Sequence, residues 1–133
     1  MAANPKRSIA AANAAVAAMA ALCNTGYLRV YDGAQPATCD TPVDTQHMLV
    51  ELRFGATAFD GPVGGVATAK AITPVAAVAS NTATWFRAFA SNGSDPVYDG
   101  NVGTAAADCI VPTTTFVANV TISVTSLTLT EAL

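Results

Sequence analysis

Residues 82–90 read Thr-Ala-Thr-Trp-Phe-Arg-Ala-Phe-Ala. Side chains of an extended chain alternate between two faces. Trp85, Arg87 and Phe89 then share one face, and Phe86 and Ala88 the other. The aromatic content and the absence of Gly and Pro predict a strong strand. Asn92-Gly93 follows as a hairpin turn signal. Val97-Tyr98 reads as a short returning strand that Asp99-Gly100 ends.

The same period of two spreads outward. Tyr27, Arg29 and Tyr31 alternate with Leu28 and Val30 up to the turn pair Asp32-Gly33. Residues 34–47 hold Pro36 and Pro42 and few large apolar groups, so they read as an exposed loop. In 48–54, Met48, Val50, Leu52 and Phe54 alternate with Leu49, Glu51 and Arg53. Gly61-Pro62 and Gly64-Gly65 break the chain. Residues 66–72 read as a strand, 74–80 as weak or irregular, and 109–111 as another short strand. In the C-terminal stretch Val120, Ile122 and Val124 alternate with Thr121, Ser123 and Thr125. Then the phase slips, with Leu127 and Leu129 apolar against Thr128 and Thr130. The slip predicts a β-bulge or a bend near Thr125-Ser126.

Residues 4–24 break the pattern and predict a helix. Asn4 suits the cap, Pro5 the first helical position and Gly26 a left-handed end. Ile9, Ala12, Val16, Met19 and Cys23 form one stripe at helical spacing. The opposite face is small: Ala10, Ala14, Ala17 and Ala21, with Asn13. Such a face lets another backbone approach, which leaves open a helix covered on more than one side. Lys6 and Arg7 fall in the expected first turn, where the dipole disfavours cations. Either an acidic partner or solvent would compensate, and solvent is the simpler reading.

The expected architecture is mostly β: an antiparallel β-sandwich, jelly-roll-like, of about 7–8 strands with one N-terminal α-helix. The boundaries are 1–25 for the helix, as part of the same unit, and 26–133 for the sandwich. The 133 residues suit one domain. With 29 Ala, 17 Thr and 14 Val, a hydrophobic share of 52% and a charged share of 11%, the chain has apolar surface to spare for neighbours as well as a core.

Six Lys plus Arg and a net charge of −3 make a nucleic-acid surface improbable. No stretch has the length and apolarity of a membrane span. Lys6-Arg7 before an Ala-rich run loosely mimics a secretory leader, but Asn13 and the alanines make a poor leader core. The three cysteines, Cys23, Cys39 and Cys109, show no C-x-x-C spacing. They read as small apolar core residues, with one disulfide plus a free thiol as the alternative.

Chemistry is hard to find. His47 is the single histidine, and only Cys39 is near it in sequence. Asp32, Asp40 and Asp44 match no calcium-loop spacing, and Pro42 intervenes. Gly61, Gly64 and Gly65 precede no G-K-[ST]. The serines lack a nucleophile-elbow context. Asn119-Val120-Thr121 fits a glycosylation acceptor but falls inside a strand pattern. Trp85 reads as a core anchor, with an interface anchor as the alternative. No catalytic, cofactor-binding or metal residue is therefore nominated, and the chain reads as a non-enzyme.

Several pieces carry a resemblance: Asn13-Ala14-Ala15-Val16, then residues 27–39, with Leu-Arg-Val-Tyr-Asp-Gly-Ala-Gln-Pro-Ala at 28–37. Residues 49–54, 83–94 and 97–103 and the Thr-rich 120–130 complete it. Together they resemble the head-decoration, or cement, proteins of tailed phages. The resemblance implies a β-sandwich subunit on the outside of an icosahedral shell. It also implies binding to a major capsid protein, self-association with a dimer expected, and no cofactor, nucleic acid or membrane. Location would be the virion exterior, after assembly in the host cytoplasm. A phage tail component, or a secreted carbohydrate- or cell-binding sandwich using Tyr27, Tyr31 and Trp85, is the alternative. A small hydrolase ranks last.

Overall fold

The computed structural model describes residues 6–131. One helix, α1 (Ile9–Leu22), precedes eleven strands. These are β1 (Tyr27–Tyr31), β2 (Met48–Arg53), β3 (Val66–Thr68), β4 (Val75–Ala76), β5 (Asn81–Thr82), β6 (Trp85–Phe89), β7 (Pro96–Gly103), β8 (Cys109–Ile110), β9 (Thr115–Phe116), β10 (Thr121–Ile122) and β11 (Ser126–Thr130). The chain is mostly β with one helix, as expected, but several strands are two-residue pieces.

The helix starts later than its sequence suggests. Ser8 is extended and its hydroxyl accepts from Ala11 N at 3.1 Å, so Ser8 is the cap. Asn4 and Pro5 lie outside the described residues. Lys6 and Arg7 precede the helix, and Arg7 pairs with the acidic Glu131. At the other end the left-handed residue is Thr25, at φ 56°, not Gly26. Gly26 is needed because a Cβ there would sit 2.1 Å from Phe89 O. Ala12, Val16, Ala20 and Cys23 make the buried stripe, while Ile9 is 58% exposed. The expected stripe therefore holds at Ala12, Val16 and Cys23; Ala20 joins it, Met19 packs partly buried against the core, and Ile9 falls outside it.

Seven strands form one sheet in the order β2-β1-β6-β7-β8-β11-β3. It is mixed rather than purely antiparallel, since β7 and β8 pair in parallel through Val102–Cys109 and Gly103–Ile110. Parallel neighbours ordinarily need a crossover of a dozen or more residues. Here residues 104–108 double back, held by reciprocal bonds in which Asp108 N donates to Asn101 Oδ1 (2.9 Å) and Asn101 N to Asp108 Oδ2 (3.3 Å). Two further two-stranded sheets, β10-β4 and β5-β9, stand beside it.

The Asn92-Gly93 signal does join β6 to β7, but through a longer loop closed by Ala90 N to Asp95 O (2.9 Å). Asp99-Gly100 does not end β7. The strand runs on to Gly103, and at Gly100 a Cβ would meet the Phe86 ring at 2.6 Å. The C-terminal slip is a bend between sheets: Ile122 pairs with β4, whereas Leu127 and Leu129 enter the large sheet. The main core gathers Val16 and Cys23 of the helix, Leu28, Val30, Val50, Leu52 and Phe86 of one sheet face, and Phe116 and Ile122 of the small sheets.

Candidate functional site

The strand alternation places a second set of side chains on the outer face of the large sheet. Register pairs Tyr31 with Trp85, Arg29 with Arg87 and with Glu51, Tyr27 with Arg53, and Arg87 with Asp99. Tyr31 and Trp85 stack with centroids 4.5 Å apart. Trp85 is fully buried, but outside the main core, and its indole N–H donates to Asp32 O at 2.9 Å. Arg29 Nε donates to Glu51 Oε2 at 2.7 Å and its guanidinium lies 4.3 Å from the Phe89 ring centroid, while that of Arg53 lies 4.3 Å from the Tyr27 ring.

Loop 34–47 closes over part of this face. Arg87, 3% exposed, makes a two-pronged contact with Asp99, Nε to Oδ1 at 2.7 Å and Nη2 to Oδ2 at 3.0 Å. Its Nη1 also donates to Thr41 O at 2.8 Å and its Nη2 to Thr38 O at 3.3 Å. A planar guanidinium with five donors suits this simultaneous grip on a carboxylate and two carbonyls. The loop's ends are clasped by Asp32, which is buried. It accepts from His47 N (2.6 Å) and Asn81 Nδ2 (2.8 Å), and meets the His47 ring at 3.2 Å. The His47 backbone N–H foremost, helped by the His47 and Asn81 side chains, holds the Asp32 carboxyl below its ordinary value.

These contacts hold the loop to the sheet. His47 is 76% exposed at its side chain, and its ring meets Asp32, which already accepts from His47 N and Asn81 Nδ2. Asp40 and Asp44 remain exposed loop residues, so of the three aspartates considered for calcium only Asp32 is drawn inward, by its clasp. Among the described residues no group of three or more His, Cys, Asp or Glu side chains is placed to hold a metal. The three cysteines are free, with Cys23 and Cys109 buried and Cys39 partly covered. Burial pushes all three thiols up to about 12, and for Cys39 the neighbouring Asp99 adds to the shift. A thiol held protonated is a poor nucleophile. Asn119 lies not inside a strand but in an exposed turn before β10, at φ 70°.

The surface is the other notable feature. Ala10, Ala14, Ala17, Ala18 and Ala21 of α1 are exposed, beside Leu22, 58% exposed, and near Val63 at 80%. Asn13 Oδ1 accepts from Gly65 N at 2.8 Å and holds the Val63 turn beside this face. A depression of about 180 Å³ lies where Ala17 and Ala21 meet Phe59 and Pro62. Another of about 250 Å³ lies between residues 69–72 and 124–127. Both are smaller than the roughly 300–1,000 Å³ usual for small-molecule sites.

Sequence reasoning missed the Arg87–Asp99 anchor. The available signal was an arginine flanked by aromatics in a strand otherwise apolar on both faces, with Asp99 read as a turn residue instead.

Comparisons with protein-family models, with curated proteins and with solved structures return no match.

Proposed function

We propose that this chain is a virion structural subunit that decorates and stabilises the outer surface of a phage capsid by binding the major capsid protein, and that it associates with itself. The observation that carries the reading is the apolar outer face of α1. Its alanines, with Leu22 and Val63, form a low strip of small and apolar groups suited to close contact with another polypeptide. A cement protein needs such surfaces, because it stabilises an assembled shell by binding it in preference to its parts. The buried clasps of loop 34–47 support the same reading, since a preorganised loop loses little freedom on docking.

On this reading the large sheet and the two small sheets form an open, jelly-roll-like sandwich around the shared core. The carbohydrate-binding alternative is weakened, because Trp85 and Tyr31 are buried and only Tyr27 of the three aromatics keeps appreciable exposure.

The test is electron microscopy of purified particles together with co-purification. Stoichiometric recovery with the major capsid protein and density on the outer lattice are expected. Recovery only in tails, or no particle association, would remove the reading.

A further inference from the structure

Asn92-Gly93 is the single Asn-Gly pair in the chain. In such a pair the glycine nitrogen can attack the asparagine side-chain carbonyl, because no side chain at the glycine obstructs it. Gly93 N loses its proton and bonds to Asn92 Cγ. The Cγ–Nδ2 bond breaks, and Nδ2 leaves as ammonia with that proton. Water then opens the five-membered imide. Opening on one side gives aspartate. Opening on the other gives isoaspartate, with the side-chain carbons now in the main chain.

The folded turn occupies every group that this reaction uses. The nucleophile, Gly93 N, donates its proton to Ala90 O at 2.9 Å. The carbonyl oxygen, Asn92 Oδ1, accepts from Ser94 N and from Asp95 N, each at 3.0 Å. The leaving nitrogen, Asn92 Nδ2, donates to Asp95 Oδ2 at 2.8 Å. Ala90 N to Asp95 O, at 2.9 Å, closes the loop beneath them. Ring closure must break the bond to Ala90 O and swing the carboxamide off its partners. The turn also explains why so labile a pair is present. Gly93 has φ 72°, and a Cβ there would meet Arg29 Nη2 and Tyr27 Cε2 at 3.3 Å. Asn92 is the residue whose side chain caps the two following N–H groups.

We propose that Asn92 is a self-modification site that the closed β6–β7 hairpin keeps latent, so that its conversion records opening of that hairpin in one direction. Opening needs only local fraying, because Asn92, Ser94 and Asp95 are exposed. The product does not remake the turn. Aspartate at 92 sets a carboxylate against that of Asp95, where an N–H had donated, and isoaspartate lengthens the connection. The affected strands carry Arg87 and Asp99, whose ion pair anchors loop 34–47.

Peptide mass mapping tests this on the full chain kept in mildly alkaline buffer, either folded or in guanidinium chloride. Asn92 should convert about tenfold or more faster in the denaturant. There it should outpace Asn24, Asn81, Asn101 and Asn119, which precede β-branched Thr or Val. In the folded state Asp95→Ala, which removes only the partner of Nδ2, should speed conversion about threefold or more. Should Asp95→Ala fail to fold, the folded-to-unfolded ratio of the wild type decides. Asn92→Asp should melt below wild type at neutral pH. Equal rates folded and unfolded, a folded Asp95→Ala variant no faster than wild type, or an unchanged melt of Asn92→Asp overturns the proposal.

Discussion

The two faces of the large sheet are both buried near β6, by opposite means. The inner face is ordinary: Phe86 and Ala88 pack with Leu28, Val30 and Leu52 against the helix and the small sheets. The outer face buries Trp85, Arg87 and Tyr31 beneath a proline-containing loop. What holds that loop down is mostly polar: an ion pair, two carbonyls gripped by a guanidinium and an aspartate clasp. The inner face gains stability from area removed from water, which tolerates reshaping. The outer face depends on every polar group finding its partner, and a half-broken network costs more than an apolar contact.

Substitutions separate the two. Phe86→Ala empties a fully buried ring site and should cost about 3–5 kcal/mol in urea unfolding, with no local signature. Arg87→Met strands Asp99 and should cost about as much or slightly less. Unlike the core variant, it should also free the loop, so limited proteolysis should cut within residues 34–47 of the folded protein. Equal protease resistance in both variants would erase the distinction between the faces.

Asp32→Asn should cost about 1–3 kcal/mol, because the His47 and Asn81 bonds lose their charge assistance. The pH dependence has a definite sign. The folded carboxyl is held below the ordinary 3.8, so its contribution is fully present above that value. It is lost as pH falls through the folded-state value. Acid titration of stability should therefore be flatter in Asp32→Asn than in wild type below about pH 4. The smallest expected effect concerns the outer helix face. Ala17→Glu should change stability by no more than about 0.5 kcal/mol, yet remove particle binding. Unchanged particle recovery would move the docking surface elsewhere.

Legibility followed length and locality. β1, β2 and β6 were readable because five or six residues with a clear period of two leave one interpretation. β5, β9 and β10 span two residues each and carry no period at all. Gly100 looked like a turn residue beside Asp99. Only the Phe86 ring across the strand shows why glycine is required in the middle of β7. Likewise Gly26 followed a helix and looked like its cap, whereas the approach of Phe89 O demands it.

From the sequence alone came the β-rich class, the single N-terminal helix, the strongest strands and the small uncharged helix face. These are local properties of side-chain size and spacing. The parallel β7–β8 pairing and the covering of the outer sheet face were decided by tertiary structure. Each depends on which distant segment arrives alongside, and periodicity within a strand does not name its neighbour.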